Sequence, residues 1–239
     1  MKAYVIPIEN ACNARCPFCI TKYRQMKCKS PMSPLFLENT LKLMDISKIE
    51  ITGGGEPTLN SFIGEIIKVC AEKAETQMYT NGSFGFFPEI NLLSTLCISR
   101  HHYEGKENKR LMGISYNLAE LCKNVKCDIK LSLLLLKSGI STKKMLEKYL
   151  EWAKATGIKK VVVRQLLKHN NKDYMKIYEK EFVPTEGLKL DWPVIKDNHG
   201  NKVYSYEGVE VEIETRECSC ESGNPVIHAD GFVAGGWDK

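Results

Sequence analysis

The sequence predicts an α/β protein, a partial parallel (β/α)6 TIM-like barrel over residues 1–168 with a small β-rich C-terminal extension over 169–239. Three observations predict it. Short apolar segments alternate with amphipathic ones, as repeated strand–helix units do. Stretches rich in cysteine, glycine and polar side chains fall where the apolar segments end, which in a parallel barrel is the face that carries the site. Near His169 this rhythm stops, and a two-residue alternation follows.

In chain order, a strand at 4–8 runs into "NACNARCPFCITKY", and a helix at 34–44 leads to a strand at 48–52 that ends in "GGGEPTL". A helix at 61–73 precedes a strand at 75–79, which ends in "TNGS". The strand at 95–99 runs into "RHHYE", and a helix at 111–123 leads to the strand "DIKLSLLL" at 128–135. A helix at 141–156 and a strand at 159–166, containing "VVVRQLL", complete the six units. The extension opens with a polar helical stretch at 171–180 and a segment bearing Pro and Trp. In "VYSYEGVEVEIET", Val209, Val211 and Ile213 alternate with Glu210, Glu212 and Glu214, the pattern of a half-buried antiparallel strand. Asp230-Gly231 in "NPVIHADGFVAGGW" signals a hairpin. The extension is expected to lie as a lid over the barrel mouth, with Trp237 packed against it.

Composition narrows the class. A chain of 239 residues, 43% hydrophobic, can bury a large core. The net charge of +5 is spread through the chain, which suits an anionic substrate and does not point to nucleic acid. No run approaches eighteen apolar residues, so neither a signal peptide nor a membrane span is expected, and the expected location is cytoplasmic. Ten cysteines without an export signal, three of them within eight residues, favour metal binding over disulfides.

Those three are Cys12, Cys16 and Cys19. Zinc in a structural site would want a fourth protein ligand, for which Cys28 is a candidate. The spacing C-x3-C-x2-C at the end of a first strand, with Phe18 beside the last Cys, resembles the cluster loop of the radical S-adenosylmethionine (SAM) superfamily. "GGEP", as Gly54, Gly55, Glu56 and Pro57, and "YTNGS", with Asn81, follow in that family's order. The resemblance is specific over the first hundred residues and architectural from there to 168.

What the resemblance implies is a 4Fe-4S cluster held by Cys12, Cys16 and Cys19, with one iron open to SAM. Phe18 would pack near the adenine, and Gly54, Gly55 and Glu56, with Pro57 and Asn81 beside them, would hold the SAM amino group. Ser99 or Ser132 would take the ribose, and Arg100 is a further candidate at that strand end. An electron donor such as flavodoxin or ferredoxin would drive cleavage of SAM to a 5'-deoxyadenosyl radical, which abstracts hydrogen from a small metabolite or peptide.

Other residues stay open between two uses. Arg164, charged among apolar neighbours, needs a partner, either a SAM or substrate carboxylate or a glutamate of the barrel. His101, His102 and Tyr103 would line the mouth and hold substrate, or be ordinary loop residues. Cys218 and Cys220 could return a hydrogen atom to a substrate radical, form a metal site with His228, or be inert. Two tail cysteines are too few for an auxiliary cluster, and Cys70, Cys97, Cys122 and Cys127 read as small core residues. Two rival functions remain. One is an activating enzyme for a glycyl-radical partner, although "SRHH" stands where such enzymes commonly carry Asp-x-Lys. The other is a zinc-stapled nucleic-acid-binding protein using Tyr23, Arg24, Lys27 and Lys29.

Overall fold

The computed structural model describes residues 1–23, 30–198, 200–215 and 224–235. Six parallel strands form its frame: β1 (Lys2–Val5), β2 (Lys48–Ile51), β3 (Glu75–Thr80), β4 (Thr95–Ser99), β5 (Asp128–Leu134) and β6 (Lys160–Arg164), adjacent in that order. Helix α1 (Pro34–Lys42) precedes β2, and α2 (Ile63–Lys73) precedes β3. Helices α3 (Gly105–Met112) and α4 (Leu118–Cys122) lie between β4 and β5, α5 (Lys143–Ala155) precedes β6, and α6 (Lys172–Glu181) follows it. None of the described helices is long and apolar enough to cross a membrane.

The helices form where the apolar spacing closes a stripe. α2 buries Ile63, Ile66, Ile67 and Cys70, and α5 buries Leu146, Tyr149, Leu150 and Ala153, both at i, i+3, i+4, i+7. Thr142 caps α5 by accepting from the Met145 amide at 3.3 Å, and Asn171 caps α6 through the amides of Asp173 and Tyr174. The single helix expected over 111–123 is two. Gly113 ends α3 at φ 74, the left-handed region that only glycine enters without strain, and Asn117 caps α4 afresh.

Strand alternation sorts the sheet into two unlike faces. Val5, Ile51, Met78, Leu96 and Ile129 stand in one cross-strand row, and the buried members Val5, Ile51, Met78 and Leu96 join the core beneath the helices. The other face carries Tyr4, Glu50 and Gln77 in one row, Ser99 and Ser132 in a second, and Arg164 opposite Glu214. That face is concave: the Arg164 Nη2 donates to the Tyr79 hydroxyl at 3.1 Å, although β4 and β5 lie between their strands. In a flat sheet those strands would stand about 14 Å apart.

The C-terminal segment returns to this same sheet at both flanks. β7 (Val194–Asn198) and β8 (Asn201–Tyr206) form an antiparallel hairpin, and β9 (Val209–Glu214) pairs antiparallel with β8 and parallel with β6. β10 (Val226–Ile227) lies parallel to β1, and β11 (Val233–Ala234) pairs antiparallel with β10. Among the described residues the six expected barrel strands thus belong to one sheet of eleven. The strand expected over the Val-Glu alternation is present, but it also has the parallel neighbour β6. Its valines join the core and its glutamates face the concave side. The turn at Asp230-Gly231 joins β10 to β11. The β7–β8 hairpin was not legible, because Val194 to Asp197 are all exposed and show no alternation to mark a strand.

Candidate active site

Three segments meet at the carboxyl ends of β1, β2 and β3. The cysteine loop leaves β1, the Asn10 amide donates to the Gly54 carbonyl at 2.9 Å, and the Glu56 amide donates to the Ala11 carbonyl at 2.8 Å. A Cβ on Gly55 would stand 2.1 Å from the Ala11 oxygen, so this residue must be glycine for the two loops to touch. The close approach that the glycine allows is therefore between backbone and backbone within the chain.

Glu56 ties in the third segment. Its Oε1 accepts from the Thr58 amide (3.2 Å), the Thr58 hydroxyl (2.7 Å) and the Thr80 hydroxyl (2.6 Å), while Oε2 accepts from the Asn81 amide (2.7 Å). Asn81 Nδ2 then donates to the Cys12 sulfur at 3.8 Å and to Asn13 Oδ1 at 2.8 Å. Both residues line the cavity, as do Gly55 and Pro57, but their polar atoms are largely spent joining the loops. Gly54 lies off the cavity wall and serves this joint through its carbonyl.

Beneath the joint is a cavity of about 410 Å³, walled in part by Cys12, Cys16, Cys19 and Phe18. Burial, then the neighbouring Cys19 and Cys12, push the Cys16 thiol up to about 12, and burial also raises Cys12. Thiols that oppose one another's ionisation in this way are deprotonated by a bound cation, and three soft donors on one loop suit iron–sulfur or zinc chemistry. Among the described residues no three Cys, His, Asp or Glu side chains converge on a common metal point, so the fit rests on the donor set and its shared cavity. Cys28, the candidate fourth zinc ligand, lies outside the described residues, as do Cys218, Cys220 and Trp237.

The remaining candidates are divided by the structure. Ser99 lines the cavity, but the Ser132 hydroxyl lies off its wall and accepts from Arg164 Nη1 at 3.4 Å, so the expected ribose contact for Ser132 is not supported. Arg164 reaches the cavity already paired: its Nε is 2.6 Å from Glu214 Oε2, and its guanidinium lies 4.9 Å from the Tyr79 ring centre. The glutamate partner is the outcome here, because β9 beside β6 sets Glu214 opposite Arg164. The network runs on through Gln77, which hydrogen-bonds both Tyr79 and Glu50, to Lys2, 2.9 Å from Glu50.

Of the three expected mouth residues, His101 alone is on the cavity wall. Arg100 explains the turn away of the other two. It is buried, its Nε donates to the His102 carbonyl at 2.8 Å and its Nη2 to the Tyr103 carbonyl at 3.2 Å, with Trp152 and Tyr116 against its face. His102 stacks on Tyr103, and its Nδ1 accepts from the Glu104 amide. These contacts commit Arg100, His102 and Tyr103 to the wall behind the site. His228 is fully buried, with Nδ1 2.8 Å from Glu9 Oε1, and so ties the tail to the start of the cysteine loop; its suggested metal partners Cys218 and Cys220 lie outside the described residues. Cys70 and Cys97 are buried, and Cys122 and Cys127 are half-buried. Sequence reasoning missed Glu214 as a wall residue; its place opposite Arg164 depends on pairing that alternation alone does not give.

No family model and no curated protein matches the sequence. Solved structures do match its fold. The chain is similar to SuiB of Streptococcus suis bound to its precursor peptide SuiA, with TM-score 0.63 and 19% identity over 79% of this chain and 43% of SuiB. It thus spans less than half of SuiB. It is similar to anSMEcpe with bound AdoMet at TM-score 0.66 and 17% identity, over 98% of this chain and 73% of that one. It is also similar to TYW1 with a lysine-pyruvate adduct bound, at TM-score 0.56 and 17% identity, over 81% and 75% of the two chains. These are radical SAM enzymes, and the chain has the radical SAM fold.

Proposed function

We propose that the chain is a radical SAM enzyme acting on a peptide or small metabolite. One observation carries the reading. The cysteine loop, the Gly-Gly-Glu-Pro loop and the Tyr-Thr-Asn-Gly turn are hydrogen-bonded into one rim over a cavity that all three line. Cys12, Cys16 and Cys19 would hold a 4Fe-4S cluster. When bound, the cluster would supply the electron that cleaves SAM to methionine and a 5'-deoxyadenosyl radical, which abstracts a substrate hydrogen.

The chain's own residues set the frame for that chemistry. Glu56 and Asn81 fix the two neighbouring loops against the Cys12 loop, and Glu56, which lines the cavity, would be the carboxylate available to accept from the SAM ammonium. Ser99 offers a hydroxyl on the wall, and Arg164 with Glu214 gives the cavity one paired charge of each sign. SuiB with its precursor peptide and anSMEcpe with the Cp18Cys peptide share this fold, which supports a peptide as one substrate class. We place the protein in the cytoplasm, served by a flavodoxin- or ferredoxin-type donor.

The test is anaerobic reconstitution with iron and sulfide, an iron count, and an assay for 5'-deoxyadenosine after SAM and dithionite are added. About four irons per chain and deoxyadenosine formation are expected. Zinc in place of iron, with no SAM cleavage, would overturn the reading.

A further inference from the structure

The cavity has two unlike walls. Thr52, Glu56, Thr80 and Asn81 make one side polar. Phe18, Met112 and Leu166, packed as one apolar cluster with Ile20 and Leu134 against it, make the other. Two side chains with polar atoms stand on that apolar side, Tyr174 within the cluster and His101 against Phe18.

His101 is held from three directions. Its amide donates to Asn108 Oδ1 at 2.8 Å, its ring Nδ1 accepts from the Leu134 amide at 3.2 Å, and its ring meets Phe18 edge-on with centroids 5.3 Å apart. A ring nitrogen that accepts a hydrogen bond carries no proton, so the proton of the neutral ring sits on Nε2. Burial, with Arg100 and Arg164 nearby, pushes His101 down to about 4, so the ring is neutral at physiological pH. The residue therefore presents one fixed N–H donor, and among the described residues nothing accepts from it.

We propose that His101 is the base-reading residue of the cavity, donating Nε2–H to a ring nitrogen of a planar heteroaromatic group that lies against Phe18 and the apolar wall. Resting on the function proposed above, that group is the adenine of SAM. The chemistry selects it. Adenine has flat apolar faces and unprotonated ring nitrogens that accept hydrogen bonds. The charged amino acid end of SAM would be poorly solvated on the apolar side and belongs with the polar wall. A ligand lacking the acceptor would leave a desolvated donor unpaired, which is how a site built around one hydrogen bond discriminates.

The test measures binding of SAM to reconstituted protein by equilibrium dialysis, using wild type, His101→Leu and His101→Gln, with SAM analogues in which adenine N1, N3 or N7 is replaced by C–H. Wild type should lose about tenfold in affinity for one of the three analogues. His101→Leu should bind SAM about tenfold more weakly and no longer distinguish SAM from that analogue, while His101→Gln, which restores an N–H donor at similar reach, should recover most of the loss. Iron content and near-ultraviolet circular dichroism check that the variants fold; if His101→Leu does not, the analogue series on wild type decides alone. Equal affinity of wild type for SAM and all three analogues, or unchanged SAM binding by a folded His101→Leu, would overturn the assignment and leave the proposed function standing. Failure of wild type to bind SAM at all would instead overturn that function, and the adenine assignment with it.

Discussion

The rim of the cavity and its floor are built by opposite means. At the rim, three short segments touch backbone to backbone, with Glu56 and Asn81 as the joints. On the floor, side chains from strands remote in sequence meet across the concave face, as Arg164, Glu214, Tyr79, Gln77 and Glu50 do. Rim contacts depend on local loop shape, and floor contacts on sheet curvature and strand order. Damage to the rim should therefore fall on cofactor loading, and damage to the floor on folding stability.

The largest expected effect is at the rim. Cys16→Ala should abolish the brown colour, the iron content and deoxyadenosine formation while leaving the thermal unfolding of iron-free protein within about 1 kcal/mol of wild type. A full iron complement in this variant would show that the cysteine loop is not the metal site.

On the floor, Arg164→Leu leaves Glu214 as a partly buried carboxylate without its partner in that ion pair, 15% exposed. A loss of about 3 kcal/mol is expected in urea unfolding. The double variant Arg164→Leu/Glu214→Leu should recover part of it, because replacing both members removes the stranded charge. No recovery would mean that Arg164 acts chiefly through Tyr79 and not through the ion pair.

Glu56→Ala tests whether a joint is purely local. It strands the Thr80 hydroxyl and the Asn81 amide, for a cost of about 2 kcal/mol, and it should lower iron retention as the Cys12 loop loosens. Loss of stability with normal iron loading would move Glu56 from the rim's function to its scaffold.

The smallest effect concerns pH. Glu212, with Lys130 at 3.2 Å, is held below the ordinary value near 4.5 although burial works against it. A carboxylate with a lowered folded value adds stability that is present above the unfolded value and is lost as pH falls through the folded one. Lys130→Met should therefore reduce stability near neutrality and flatten its decline below about pH 4.5, as seen in thermal unfolding between pH 3 and 7. An unchanged acid limb would remove Lys130 as the cause.

The same contrast explains what the sequence revealed. The rim was legible because Cys12, Cys16 and Cys19, Gly54 to Pro57 and Tyr79 to Gly82 are contiguous patterns, each at a strand end. The strand–helix order was legible from apolar spacing, up to the break that Gly113 makes in the helix expected at 111–123. The floor was not. Alternation places Glu212 and Glu214 on one face, but which cation they meet depends on β9 pairing with β6. Nor does "SRHHYE" say that Arg100 folds back onto the carbonyls of His102 and Tyr103 and leaves only His101 of the two histidines at the cavity. The choice is made by the shape of the wall behind it, where Tyr149 and Trp152 of α5 receive that arginine.

The pairing of β10 with β1 has a consequence for the order of events during synthesis. The amides of Tyr4 and Ile6 donate to the carbonyls of Pro225 and Ile227, and Glu9 waits for His228. A ribosome adding about 5–20 residues per second makes these partners on the order of ten to forty seconds apart. Through that interval the strand that feeds the cysteine loop has an open edge, and the carboxylate at its end lacks its imidazole. The frame around Cys12, Cys16 and Cys19 closes only after residue 228 has been made, so a metal centre bound by the proposed cysteine loop would be expected to load after the residues that shape the site have been translated.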